Sequence, residues 1–156
     1  VEHEREAVYT NLLVPTDGSD ASAAAIDQAL AIAEGVGATV HFLYVVDVGT
    51  EMSASGTGTI ADELTETLSE EAERALDEAA ARADEEGVAY ERETLEGVPH
   101  EAIVDYSTTH DIDLISVGAS GRSGIKEHLL GSTTDRVVRS SDTSVLVARP
   151  EGDSSN

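Results

Sequence analysis

Residues 39–46 read TVHFLYVV, a run that is apolar almost throughout and lacks the alternation of a strand with one wet face. It is too short for an ordinary buried helix and suits a strand covered on both sides. Tyr9 to Pro15 (YTNLLVP), Asp113 to Val117 (DLISV) and Ser144 to Ala148 (SVLVA) share this character. Helical patterns fill the intervals. After the turn Thr16-Asp17-Gly18-Ser19, Ser19 or Asp20 can cap a helix whose face is Ala23, Ile26, Ala29, Leu30 and Ala33, with Gly35 and Gly37 stopping it. Ile60, Leu64, Leu68, Ala72, Leu76, Ala80 and Ala83 mark one face of a long second helix with acids opposite, closed by Glu85, Glu86 and Gly87. Val88 to Glu93 reads as a short third strand, and a helix with Pro99 in its first turn runs through Ile103, Val104 and Tyr106 to about Thr109. Five strands alternating with helices predict an α/β fold: one doubly wound parallel sheet with helices on both faces. A chain of 156 residues has room for one such core and not for two ordinary domains.

In sheets of this kind ligands bind beyond the carboxyl ends of the strands, near the switch in strand order. Three segments end strands there: Pro15-Thr16-Asp17, Val45-Val46-Asp47 and the stretch from Gly118 onward. The last, GASGRSGIKEHLLGSTT, carries glycines at 118, 121 and 131, then Ser132, Thr133 and Thr134, and enters a helix spanning Thr133 to Arg139. A glycine loop between strand and helix presents free amides at the positive end of a helix dipole, which suits a phosphate. Glycines at 118 and 121 would let the backbone approach without a Cβ in the way. Residues 118–139 hold Arg122, Lys126, Arg136 and Arg139 against Glu127 and Asp135, a net +2. The chain as a whole is net −23. Neither GxxxxGK[ST] nor GxGxxG occurs, so this is not a Walker or dinucleotide motif.

Thirty-two acids against nine bases, with Lys126 the only lysine, disfavour a nucleic-acid partner. Clean periodicity argues against disorder, and no localised acidic block points to a basic partner. Adaptation to high salt, as in an acidic haloarchaeal-type proteome, is the reading that the scarcity of lysine favours. Zero cysteines excludes disulfides and thiolate chemistry and fits a cytoplasmic protein. No apolar run spans a membrane, and the opening VEHEREAVY is charged where a signal peptide would be apolar. Residues 1–7 and 150–156 are expected to be a flexible N-terminus and a disordered tail, and the glycine-rich residues 47–60 a mobile or functional loop, its closing over a ligand left open by the sequence.

The glycine spacing, together with LLVPTDGSDAS (residues 12–22) and DLISVGASGRSG (residues 113–124), resembles the universal stress protein family, in its nucleotide-binding branch. The similarity covers residues 8–149. It implies an adenine nucleotide α-hydrolase-like fold and a homodimer formed through the last strand, residues 144–148. It also implies a site for ATP, with Mg²⁺ held through the phosphates. Carried over by position, Asp17 beside Pro15 and Thr16 would meet the ribose or base, and backbone near Val45 the adenine. Gly118, Ser120, Gly121, Gly131, Ser132 and Thr133 would surround the phosphates, with Thr134 following them. Thr133 can add a hydroxyl there or cap the helix.

Other readings stay open from the residues alone. Asp17 can equally be a turn and helix-cap residue, Ser132 an N-cap, and Arg122 and Lys126 solvated loop charges. His3, His41, His100, His110 and His128 are scattered without a ligand spacing, so no protein-built metal site is expected. A slow ATPase or phosphotransferase would need a base near the terminal phosphate, for which Glu127 is the one weak candidate. A dimeric scaffold without nucleotide is the third alternative.

Overall fold

The structure, a computed structural model, describes residues 9–47, 59–119 and 131–150. Residues 1–7, most of the 47–60 segment and residues 151–156 lie outside them. The elements are β1 (Asn11–Pro15), α1 (Asp20–Val36), β2 (Thr39–Val46), α2 (Thr59–Glu86), β3 (Tyr90–Glu96), α3 (Pro99–Thr109), β4 (Leu114–Gly118), α4 (Ser132–Ser140) and β5 (Ser144–Ala148). All pairings are parallel, and the strand order is β3-β2-β1-β4-β5. This is the five-stranded α/β sheet expected.

Pleating divides each inner strand between two cores. Leu12, Val14, Val40, Phe42 and Leu114 join Ala25, Ala29 and Leu30 of α1 and Ala72, Leu76 and Ala79 of α2 on one face. Leu13, Leu43, Ile115 and Val117 meet Ile103 and Tyr106 of α3 and Val137 of α4 on the other. The absence of alternation in TVHFLYVV follows from this double burial. Each such leucine removed from water contributes about 2 kcal/mol.

Two local expectations shift. The third strand begins at Tyr90 rather than Val88, because its register is set by backbone pairing with β2 from Val40↔Tyr90 to Val46↔Glu96. Val88 packs into the first core ahead of it. β3 is an edge strand with alternating exposure, so it is not apolar on both faces. Its Arg92 bonds Glu73 and Asp77 of α2, each at 2.9 Å. Gly35 lies inside α1, and only Gly37, at φ 73°, ends it.

The scattered histidines do not all stay scattered. His41 of β2 lies on the α3 face, its Nδ1 accepting from the Tyr106 hydroxyl at 2.8 Å and its Nε2 donating to Asn11 Oδ1 at 3.2 Å. Tyr106 stacks on His110 with ring centres 3.7 Å apart. Burial lowers the His41 pKa below 6.5, opposed in part by Glu91 and aided by His110. Burial, with Glu93 and Glu91, pushes Tyr106 up to about 12. The unfolded chain therefore binds more protons at His41 than the folded chain as pH falls below 6.5, and folding loses stability in that window. Urea unfolding between about pH 7.5 and 5.5 should show a smaller loss for His41→Gln than for the unsubstituted chain. Equal losses would refute the assignment.

Candidate functional site

The strand order turns about β1, which has β2 on one side and β4 on the other. α1, leaving β1, covers the first face; α4, entered after β4, covers the second. Their starting ends diverge from the sheet at the same rim, and a cavity of about 280 Å³ opens between them. One wall is polar and comes from the β1–α1 turn: Thr16, Asp17, Ser19 and Ser22. Facing it are Gly131, Ser132, Thr133 and Thr134 at the start of α4. Pro15, Leu43, Val45, Pro99, Ile103 and Val117 make the apolar remainder.

Both polar walls owe their shape to local sequence. At the β1 end, Gly18 adopts φ 81°, which turns the chain into α1. The Ser19 side chain caps the helix by accepting from the Ser22 amide at 3.2 Å. Asp17 Oδ1 accepts from the Ser19 amide at 2.9 Å and the Ser22 hydroxyl at 3.2 Å. Asp17 thus fills the turn role and also borders the cavity.

At the α4 end, the Gly131 amide donates to the Ala119 carbonyl at 2.8 Å, and the Ala119 amide to the Ala148 carbonyl at 2.8 Å. These bonds bring the two ends of the 119–131 segment together. Gly131 is the N-cap, with no side-chain cap bond, and the first helical bond runs from Asp135 N–H to Gly131 O. The amides of Ser132, Thr133 and Thr134 therefore have no acceptor within the helix. They sit at the positive end of its dipole. α1 and α3 also begin at this cavity, through Ser19 and Pro99. Three helix starts at one cavity favour an anion there, while the apolar wall favours a flat hydrophobic group beside it.

Of the residues singled out by sequence, Pro15, Thr16, Asp17, Val45, Gly131, Ser132, Thr133 and Thr134 line the cavity. Ser120, Gly121 and Arg122, with Lys126 and Glu127, lie outside the described residues. Gly118 is not among the residues around the cavity, and it has a packing role of its own. A Cβ there would fall 2.6 Å from the Ala21 carbonyl carbon and oxygen, so the glycine serves close packing of α1 on β4. Thr134 donates its buried hydroxyl to Gly118 O at 2.7 Å, which leaves its amide as its contribution to the rim. Ser132 is N1 of α4, not its cap. Arg136 is exposed, Arg139 pairs with Asp135 at 3.0 Å, and neither lines the cavity. Sequence reasoning missed Ser19, Ser22, Leu43, Pro99, Ile103 and Val117 as lining residues. Ser22 had a signal in its place three residues after the cap; Pro99 and Ile103 had none, because they arrive from a distant helix.

The family model for the universal stress protein family matches residues 9–149. The chain belongs to the universal stress protein family. Universal stress protein MJ0531 of Methanocaldococcus jannaschii is 38% identical over 92% of this chain and 84% of its own length. Among solved family members, UspA from Lactobacillus plantarum superposes with a TM-score of 0.78 at 38% identity, covering 90% of this chain and 98% of that one. A universal stress protein in complex with cAMP superposes at 0.66 with 30% identity, covering 91% and 98%. Among the described residues no helix is long and apolar enough to cross a membrane, and no three His, Asp or Glu side chains are grouped to hold a metal.

Proposed function

We propose that this universal stress protein binds ATP in the cavity between the β1–α1 turn and the start of α4, and acts as a stress-response binding and signalling module. The observation that carries the reading is the set of Ser132, Thr133 and Thr134 amides, which face the β1–α1 wall across a cavity with an apolar side. An adenine suits the surface of Pro15, Val45, Pro99 and Ile103, its ribose Asp17, and its phosphates the α4 amides; Ser120, Gly121 and Arg122, which the sequence adds to the phosphate site, lie outside the described residues. The cAMP complex of a relative supports an adenine nucleotide as the ligand class. Mg²⁺ would be held through the phosphates rather than by a protein cage. Residues 8–149 form the nucleotide-binding domain in this reading, and the protein works in a salt-rich cytoplasm.

The two sheet edges differ in a way that bears on assembly. β3 carries Glu91, Arg92, Glu93 and Glu96, which repel a further strand, whereas β5 (SVLVA) carries no charge and only half-buried Val145, Leu146 and Val147. This contrast supports a homodimer through β5. Calorimetric titration with ATP and Mg²⁺ in molar KCl, on a sample whose mass is measured in parallel, tests both points. Saturable heat and a mass twice 16.3 kDa are expected. No heat would refute the nucleotide reading, and a monomeric mass the assembly.

A further inference from the structure

A hydroxyl relay stands behind Asp17. The Gly18 amide donates to Thr16 Oγ1 at 3.2 Å, and the Thr16 hydroxyl donates to Ser22 Oγ at 3.1 Å. Ser22 has one hydroxyl proton and two acceptors in reach, Asp17 Oδ1 at 3.2 Å and the Ser19 carbonyl at 3.0 Å. Thr16 and Ser22 are buried, so water does not compete for these groups. A buried chain of hydroxyls polarises along its length, and its terminal donor is strongest toward an ion. Cap formation does not use this proton, because α1 is capped through the Ser22 amide instead.

We infer that Ser22, driven by Thr16, is a positioning residue that sets Asp17 for a ribose diol, so that the relay decides recognition of the sugar and not of the phosphates. This deepens the nucleotide reading and rests on it. A carboxylate receiving a ligand hydroxyl stays aimed only while its protein donors hold it, and Ser22 is the donor able to turn between Asp17 and Ser19. The phosphates would lie at α4, on the opposite wall, beyond the reach of this proton.

The test compares ATP with 2′,3′-dideoxyadenosine triphosphate on the full chain by calorimetry. Ser22→Ala should weaken ATP about tenfold while leaving the dideoxy ligand within about twofold, with the melting temperature held by the intact amide cap. Thr16→Val, of equal shape, should give the same selectivity at smaller amplitude and serves if the alanine variant folds poorly. Equal weakening of both ligands, or unchanged ATP affinity in either variant, overturns the inference alone. Failure of the unsubstituted chain to bind ATP overturns the functional reading and this inference with it.

Discussion

Gly118→Ala should destabilise the fold by about 3 kcal/mol, although it adds one carbon to a strand. The new Cβ would sit 2.6 Å from backbone atoms of Ala21 and 2.7 Å from its Cβ, and backbone cannot rotate aside as a side-chain tip can. The cause is the α1–β4 contact. Ala21, Ala25 and Ala29 line the inner side of α1, spaced four apart, and β4 answers with Ser116 and Gly118 on the same face. Ser116 donates its hydroxyl to Ala25 O at 2.9 Å, which requires the helix backbone to lie close. Pushing α1 outward breaks that bond and moves the Thr16–Ser22 turn at its start. Thermal unfolding should fall by roughly 6–12 °C. Gly35→Ala is the matched control: inside the same helix its Cβ meets nothing within 4 Å. A gain of about 0.5–1 kcal/mol is expected there. Equal melting temperatures for the two variants would refute the packing argument.

Ser132→Pro should lower ATP affinity by roughly 10- to 100-fold while leaving stability nearly unchanged. Proline is favoured at N1, where its missing N–H interrupts no helical bond. The preceding residue must be extended, and Gly131 at φ −64° and ψ 157° already is. The substitution therefore deletes one rim amide and the Ser132 hydroxyl without disturbing α4. A hydrogen bond to a charged group contributes about 1.5–3 kcal/mol, which sets the range. Ser132→Ala, which keeps the amide, separates hydroxyl from main chain and should retain most of the affinity. Calorimetry of the two variants decides the matter. Full ATP affinity in the proline variant would mean that the phosphates do not lie on α4.

Much of this molecule was legible in residue order. Double-sided burial left TVHFLYVV and DLISV without alternation, and that pattern alone implies inner parallel strands. The strand-end position of Pro15-Thr16-Asp17 and the Gly131-Ser132-Thr133 entry to a helix likewise placed eight of the cavity's lining residues. β3 was read two residues early because an edge strand is held by backbone pairing, which side-chain hydropathy does not report. The Ala21 partner of Gly118 was not legible, because a glycine in sequence shows only that a Cβ is unwelcome, not which neighbour excludes it.

Local pattern therefore determined the element types, their order and the rim where the cavity opens, since helix and strand periods and caps act over a few residues. Tertiary structure alone decided that α3 brings Pro99 and Ile103 to the cavity, that His41 meets Tyr106 and His110, and that α1 lies on Gly118. These contacts join residues far apart in the chain, and their existence depends on how closely helices settle on the sheet, a quantity set by packing and carried by no single segment.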